Sequence, residues 1–366
     1  MGNGASNDVE VFQDGQLELE LKKHGGEGDS TALKLLAAGY DTIINSVIRP
    51  VRSVYDVSML GADEFQHLCN RKHSENALML TIRHKQFTVT NDRAESLICS
   101  HWQIYTNPNS SIPNRTPCLV YLHSNIGSRA DVLRIRDIVL RCYISVMTFD
   151  FSGSGQSDGA YVTMGWNESR DLECVLKHLD NDVSVESICI YAHSMGVYPA
   201  LIEASKRSPG TIQAGKKHQE QMDVSMDSDS KKHVRGLVID GGYCAMTTLV
   251  EEMMVQIQQE GFAFPLSLLK LGCSIVRRTV QTRANVDLKL LRPIDFVQYC
   301  NIPALFMTGK DDRYVTSHHS HELAAQYSGP SIVLHVEGGH YDVRPQKSYV
   351  EAIHFLQGAL HSRWTA

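Results

Sequence analysis

Ser194 stands in ICIYAHSMGVYPAL (188–201), between an apolar run of strand type and a stretch of helical type, with the small residues Ala192 and Gly196 two places to either side. This is the pattern of a nucleophile elbow, with alanine in place of its usual first glycine; the turn is so sharp that its flanking residues must be small. Such a turn pushes the hydroxyl out beyond the strand end, where the helix that follows favours developing negative charge. A serine is a poor nucleophile until a base removes its proton and an acid orients that base, so later strand ends should supply an acid and then a histidine. GKDDRYV (309–315) puts Asp311 and Asp312 after one apolar run, and EGGHYD (337–342) puts His340 after the next. Asp312 is the preferred acid, because Gly309, Asp312 and Val315 give the GxxDxxV spacing of this turn; Asp311 is the alternative. The oxyanion formed by attack needs two preorganised donors. These are assigned to the backbone N–H groups of Met195 and Asn125, with Ser124 as the neighbouring alternative to Asn125. His123 and His193 flank the same place and read as structural or pocket-lining, since neither follows the acid. The chemistry implied is nucleophilic acyl transfer.

The elements that must position these groups are legible as runs. PCLVYLH, YISVMTFD, SICIYAH, GLVID, PALFMTG and SIVLHVEGG are short, almost continuously apolar and rich in β-branched residues, with helix-length segments between them. Strands without polar alternation are buried on both faces, so the fold class is α/β, a parallel sheet between helices. KQFTVT and SLICSHWQIY, separated by Asn91, Asp92 and Arg93, read as a hairpin ahead of it. Residues 31–48 have apolar residues at helical spacing until Pro50 stops them. The expected organisation is an acidic tail (1–30), a helical extension (31–75) and an α/β domain (76–366). Within that domain, the polar segment 205–235 reads as a surface insertion, with Ser225, Ser228 and Ser230 as phosphorylatable positions should it be regulatory.

The chain has 366 residues, 42% of them hydrophobic, which is an ordinary globular composition. Its net charge is −6, and no basic run interleaves with aromatics, so nucleic acid is not an expected partner. The first 30 residues hold seven acids against Lys22 and Lys23, which leaves the remainder nearly neutral. Nine cysteines without CxxC spacing read as reduced thiols of a cytosolic protein. No apolar stretch approaches the roughly 18 residues of a membrane span. The start MGNGAS matches the N-myristoylation pattern, with Gly2 as acceptor and Ser6 at the hydroxyl position. One such chain holds a membrane weakly and reversibly, so any peripheral contact should be weak. His318 and His321 share a helix face in HHSH, but no carboxylate or cysteine is seen to complete a metal set; the run reads as an exposed helix. DFSGSGQSDG (150–159) lacks the spacing of a phosphate loop. No cofactor or metal is expected.

With IRPVRSVY (48–55), DFSGSGQSDG, AHSMG, GKDD and EGGHYDVRP in this order, residues of about 40–360 resemble the α/β hydrolase superfamily. The resemblance is to its serine aminopeptidase-like branch, and within that to a protist-type group with IRPxR and DFSGSG motifs. It implies an α/β hydrolase fold, with an eight-stranded, mostly parallel sheet carrying Ser194, Asp312 and His340 at one edge. It also implies a small helical cap over about 244–290, where FAFPLSLLKLGCSIV (262–276) is either an acyl-pocket lining or plain core. Ala192, the Asp-Gly-Gly at 240–242 and the His-Tyr-Asp at 340–342 depart from the group without removing a catalytic group. The function expected is a serine hydrolase cleaving an acyl ester or thioester through an acyl-enzyme. Its substrate would be a small or lipid-like acyl compound or an S-acylated protein. An amide-cleaving peptidase and a silent hydrolase-fold scaffold are the alternatives.

Overall fold

The computed structural model describes residues 44, 45, 47–69, 78–208, 231–259 and 266–361. Gly2, the acidic tail, residues 31–43 of the expected helix, Ser225, Ser228, Ser230 and residues 262–265 lie outside the described residues.

Among the described residues, nine strands form one sheet: β1 (Glu64–Cys69), β2 (Leu78–Thr90), β3 (Ser96–Tyr105), β4 (Thr116–Leu122), β5 (Ser145–Phe149), β6 (Val185–His193), β7 (Val234–Asp240), β8 (Ala304–Gly309) and β9 (Ser331–Val336), in the order β1-β2-β3-β5-β4-β6-β7-β8-β9. Strands β4 to β9 are mutually parallel, and β1, β2 and β3 pair antiparallel with one another and onto β5. The count exceeds the expected eight by β1. That strand lies in the stretch read as a helical extension, which among the described residues is helical around 44–48 and, as a single 3-10 turn, at Val57–Leu60, with irregular chain between. EFQHLC adopts a strand because its alternate side chains turn outward at the sheet edge while Cys69 is buried.

Alternation across the pleat explains why the inner strands are apolar throughout. On one face Cys118, Val120 and Leu122 of β4, Ile188, Ile190 and Ala192 of β6 and Leu237 and Ile239 of β7 meet α2 (Trp166–Asp180) and α3 (Val197–Arg207). On the other, Leu119, Tyr121, Cys189, Tyr191 and Val238 meet α1 (Arg136–Arg141) and α8 (Gln346–His361). Each fully buried aliphatic side chain contributes roughly 1.5–3 kcal/mol, so both layers are required to hold the strand ends in register.

The motif ahead of the sheet has a docking role. The Arg52 guanidinium donates to the carbonyls of Ser157 and Gly159. The Tyr55 hydroxyl donates to Asp150 at 2.6 Å and accepts from Arg129 Nε at 2.5 Å, fastening the segment to the DFSGSG loop. The expected insertion is shorter than 205–235: Ser205–Arg207 end α3, where the buried Arg207 pairs with Glu203 and Asp180, and Val234 already begins β7. Cys99, Cys118, Cys174, Cys189, Cys244, Cys273 and Cys300 are free thiols. Among the described residues, no helix is long and apolar enough to cross a membrane.

After β7 come α4 (Met246–Gln259) and α5 (Leu266–Ala284), then the short α6 (Ile294–Val297) before β8; α7 (Ser317–Gln326) lies between β8 and β9. Helices α4 and α5 both fall within the stretch 244–290 expected as a cap.

Candidate active site

Strand β6 ends at His193, and Ser194 follows with φ 52°, a left-handed conformation that a serine adopts only when its surroundings impose it. The imposed constraint is visible at Gly196. A Cβ there would lie 2.8 Å from Leu122 Cβ and 3.0 Å from the Leu122 carbonyl oxygen, so the turn packs directly on the end of β4. Ala192, the departure from the elbow pattern, is fully buried in the strand and tolerated there.

The Ser194 hydroxyl donates to His340 Nε2 at 2.7 Å, and His340 Nδ1 donates to Asp312 Oδ2 at 2.7 Å. All three residues are buried. Asp312 comes from the turn after β8, where its other oxygen accepts the N–H groups of Tyr314 (3.0 Å) and Val315 (2.8 Å). The alternative acid, Asp311, has an exposed side chain and reaches the histidine loop only through its backbone N–H, bonded to the Gly338 carbonyl. Gly241 (φ 66°) makes room for the base, since a Cβ there would stand 3.2 Å from His340 Cε1.

Met195 is buried immediately after the serine, and Ser124 and Asn125 lie in the loop leaving β4. The Tyr341 hydroxyl donates to Asn125 Oδ1 at 3.2 Å, joining the histidine loop to that loop, a contact the sequence did not indicate. Tyr341 and Tyr314 flank His340, with ring centroids 4.7 and 6.0 Å from its imidazole. His123 is structural: Nδ1 donates to the Ser124 carbonyl at 2.7 Å and Nε2 accepts from the Phe151 N–H at 3.0 Å. His193 Nε2 donates to the His340 carbonyl at 3.0 Å, and burial holds its imidazole below the ordinary pKa, so it donates as a neutral ring.

The HHSH helix is not simply exposed. His319 is fully buried, with Nδ1 3.1 Å from Cys244 Sγ, and Glu322 lies within 3.2 Å of both Cys244 Sγ and His318 Nε2. No group of three or more His, Cys, Asp or Glu among the described residues could hold a metal ion. Instead this region ties α4 to the acid turn: Thr316 donates to Glu252 at 2.9 Å, and Val315 shares an apolar cluster with Tyr243, Met246 and Leu249.

Residues 244–353 match the family described as Serine hydrolase (FSH1). The chain is 23% identical over 155 residues to uncharacterized protein R595 of Acanthamoeba polyphaga mimivirus; the match takes in 42% of this chain and 47% of that protein, so the chain spans about half the length of the curated relative it matches. Among solved structures, it is similar to the Pyrococcus furiosus esterase Pf2001 (19% identity, TM-score 0.51, 76% of this chain and 91% of that one). It is also similar to Est1E from Butyrivibrio proteoclasticus with ferulic acid bound (15%, 0.51, 75% and 100%) and to acetyl xylan esterase 1 from Thermoanaerobacterium (12%, 0.51, 89% and 93%). The sheet, the helices on both its faces and these likenesses define an α/β hydrolase fold. The family match over 244–353 adds a likeness to serine hydrolases.

Proposed function

We propose that the protein hydrolyses an acyl ester or thioester through a covalent acyl-Ser194 intermediate. The observation that carries this reading is the unbroken relay from Ser194 Oγ through His340 to Asp312, 2.7 Å at each step, on a serine in a left-handed turn. His340 takes the hydroxyl proton as Ser194 attacks the carbonyl, and Asp312 orients the ring and stabilises the imidazolium. The N–H groups of Met195 and Asn125 receive the oxyanion. The imidazolium then protonates the leaving group, and water, activated by the same histidine, cleaves the acyl-enzyme.

The apolar character of the helices after β7 favours a lipid-like acyl group. Met246, Leu249 and Met254 of α4 are buried, while Met253 and Val255 of α4 and Ile275 of α5 are exposed. Acylation of Gly2 would add weak membrane contact and place a cytoplasmic enzyme near acylated lipids or proteins.

Labelling with a fluorophosphonate, run beside Ser194→Ala, tests the nucleophile without a choice of substrate. Labelling of the wild type alone is expected, and an unlabelled, folded wild type would favour a silent scaffold. A chain-length series of esters, thioesters and amides then tests the substrate class; strong amide cleavage without ester preference would overturn it.

A further inference from the structure

His340 stands on an irregular loop, yet its two ring nitrogens are each held at 2.7 Å from their partners. What fixes the ring is the hold on the peptide groups to either side of it. The Gly339 carbonyl accepts from Arg344 Nη1 at 2.6 Å, and the His340 carbonyl accepts from His193 Nε2 at 3.0 Å. The rest of the Arg344 guanidinium is committed to Asp240, with Nη2 at 2.9 Å and Nε at 3.2 Å from Oδ1. Tyr191 donates to the other Asp240 oxygen at 2.9 Å. Asp240 ends β7 and is the register partner of His193, which ends β6 next to Ser194. The nucleophile strand and its neighbour therefore grip both peptide groups of the base. Gly309 leaves space for this hold, because a Cβ there would lie 2.4 Å from the Gly338 carbonyl oxygen and 2.9 Å from Arg344 Nη1.

We propose that Asp240, Arg344 and His193 are positioning residues that hold the His340 imidazole between Asp312 and Ser194. The Asp240–Arg344 side chains are almost fully buried, and a buried ion pair is poor evidence for stability, because apolar replacements of equal volume often serve as well. Positioning is a use that apolar replacements cannot reproduce: only the guanidinium fork joins the β7 carboxylate to the loop carbonyl. A displacement of about 1 Å at a reacting group can cost about 100-fold in rate.

The inference rests on the proposed relay, so its test needs a readout that does not require hydrolysis. The full-length double variant Asp240→Leu/Arg344→Met removes both charges at similar volume. It is compared with wild type by the downfield proton resonance of His340 Nδ1, identified by its loss in His340→Ala, and by the rate of fluorophosphonate labelling. The expected result is a cooperatively melting protein whose resonance is lost or broadened and whose labelling slows at least about 30-fold. Arg344→Lys should recover only part of the rate, because an ammonium cannot reproduce the fork. Should the double variant not fold, His193→Leu leaves the ion pair intact and removes one grip alone, with an expected shift of the resonance and about 10-fold slower labelling. A folded double variant, or His193→Leu, with an unchanged resonance and labelling within about 3-fold of wild type would overturn the proposal. If the wild type itself resists labelling, the hydrolase reading fails, and the resonance comparison still decides the positioning role.

Discussion

Asp312→Asn separates the relay from mere proximity. In the wild type, Asp312 Oδ1 accepts two backbone N–H groups and Oδ2 accepts the His340 Nδ1 proton. An asparagine has one oxygen to share between these duties. Two backbone donors outbid one, so the oxygen turns toward Tyr314 and Val315, and the amide presents its NH2 to His340. The ring must then accept at Nδ1 and carry its proton on Nε2, facing Ser194, where it can no longer act as a base. The comparable change in a well-studied serine protease costs about 10⁴ in kcat with geometry intact, equivalent to roughly 5.5 kcal/mol at about 1.4 kcal/mol per decade. Stability should barely change, because the loop N–H groups keep their acceptor. The assay is the second-order rate of fluorophosphonate labelling at pH 7.5, with Asp311→Asn in parallel and thermal melting as the folding control. A loss of three to four decades is expected for Asp312→Asn and less than about 3-fold for the exposed Asp311. A loss under 10-fold at Asp312, or a greater one at Asp311, would refute this reasoning.

Three other outcomes follow from the same contacts. Gly196→Ala drives a Cβ to within 2.8 Å of Leu122 Cβ and 3.0 Å of its carbonyl oxygen; it should cost about 1–3 kcal/mol, read as a lowered Tm. Tyr341→Phe removes the hydrogen bond to Asn125 and should slow ester turnover about 2- to 10-fold, the worth of one such bond; an unchanged rate would detach that loop from catalysis. Burial pushes His84 and His101 down to about 4, so both are neutral in the folded chain, while unfolding restores values of about 6.5. The unfolded state binds more protons between these values, so stability is full above about 6.5 and falls by a few kcal/mol on acidification to about 4. Denaturation midpoints that stay level from pH 7 to pH 4.5 would contradict that sign.

Strands buried on both faces announce themselves as nearly continuous apolar runs; β4 to β8 are therefore legible run by run, and the edge strand β9, though partly exposed, by the apolar start of SIVLHV, and so are the turns at their ends. β1 is not, because at the edge of a sheet EFQHLC alternates for only six residues and resembles the polar stretch around it. KQFTVT captured only the C-terminal half of β2, which begins at Leu78. The bounds of the insertion are obscured in the sequence for a related reason: Arg207 reads as a surface charge until Glu203 and Asp180 are seen beside it.

The candidate site divides along the same physical line. Ser194, Asp312 and His340 each follow a strand end, so local sequence places them one at a time, and only the strand order is needed to bring them together. The grip on His340 has no local signature. Asp240 and Arg344 are 104 residues apart, and Tyr341 and Asn125 are 216 apart; nothing in a run of residues says that a carboxylate ending one strand will meet a guanidinium beyond another. Yet two departures from the pattern the sequence resembles, Gly241 and Tyr341, lie at the base. Gly241 clears the volume that the His340 ring enters, and Tyr341 carries the hydroxyl that reaches Asn125.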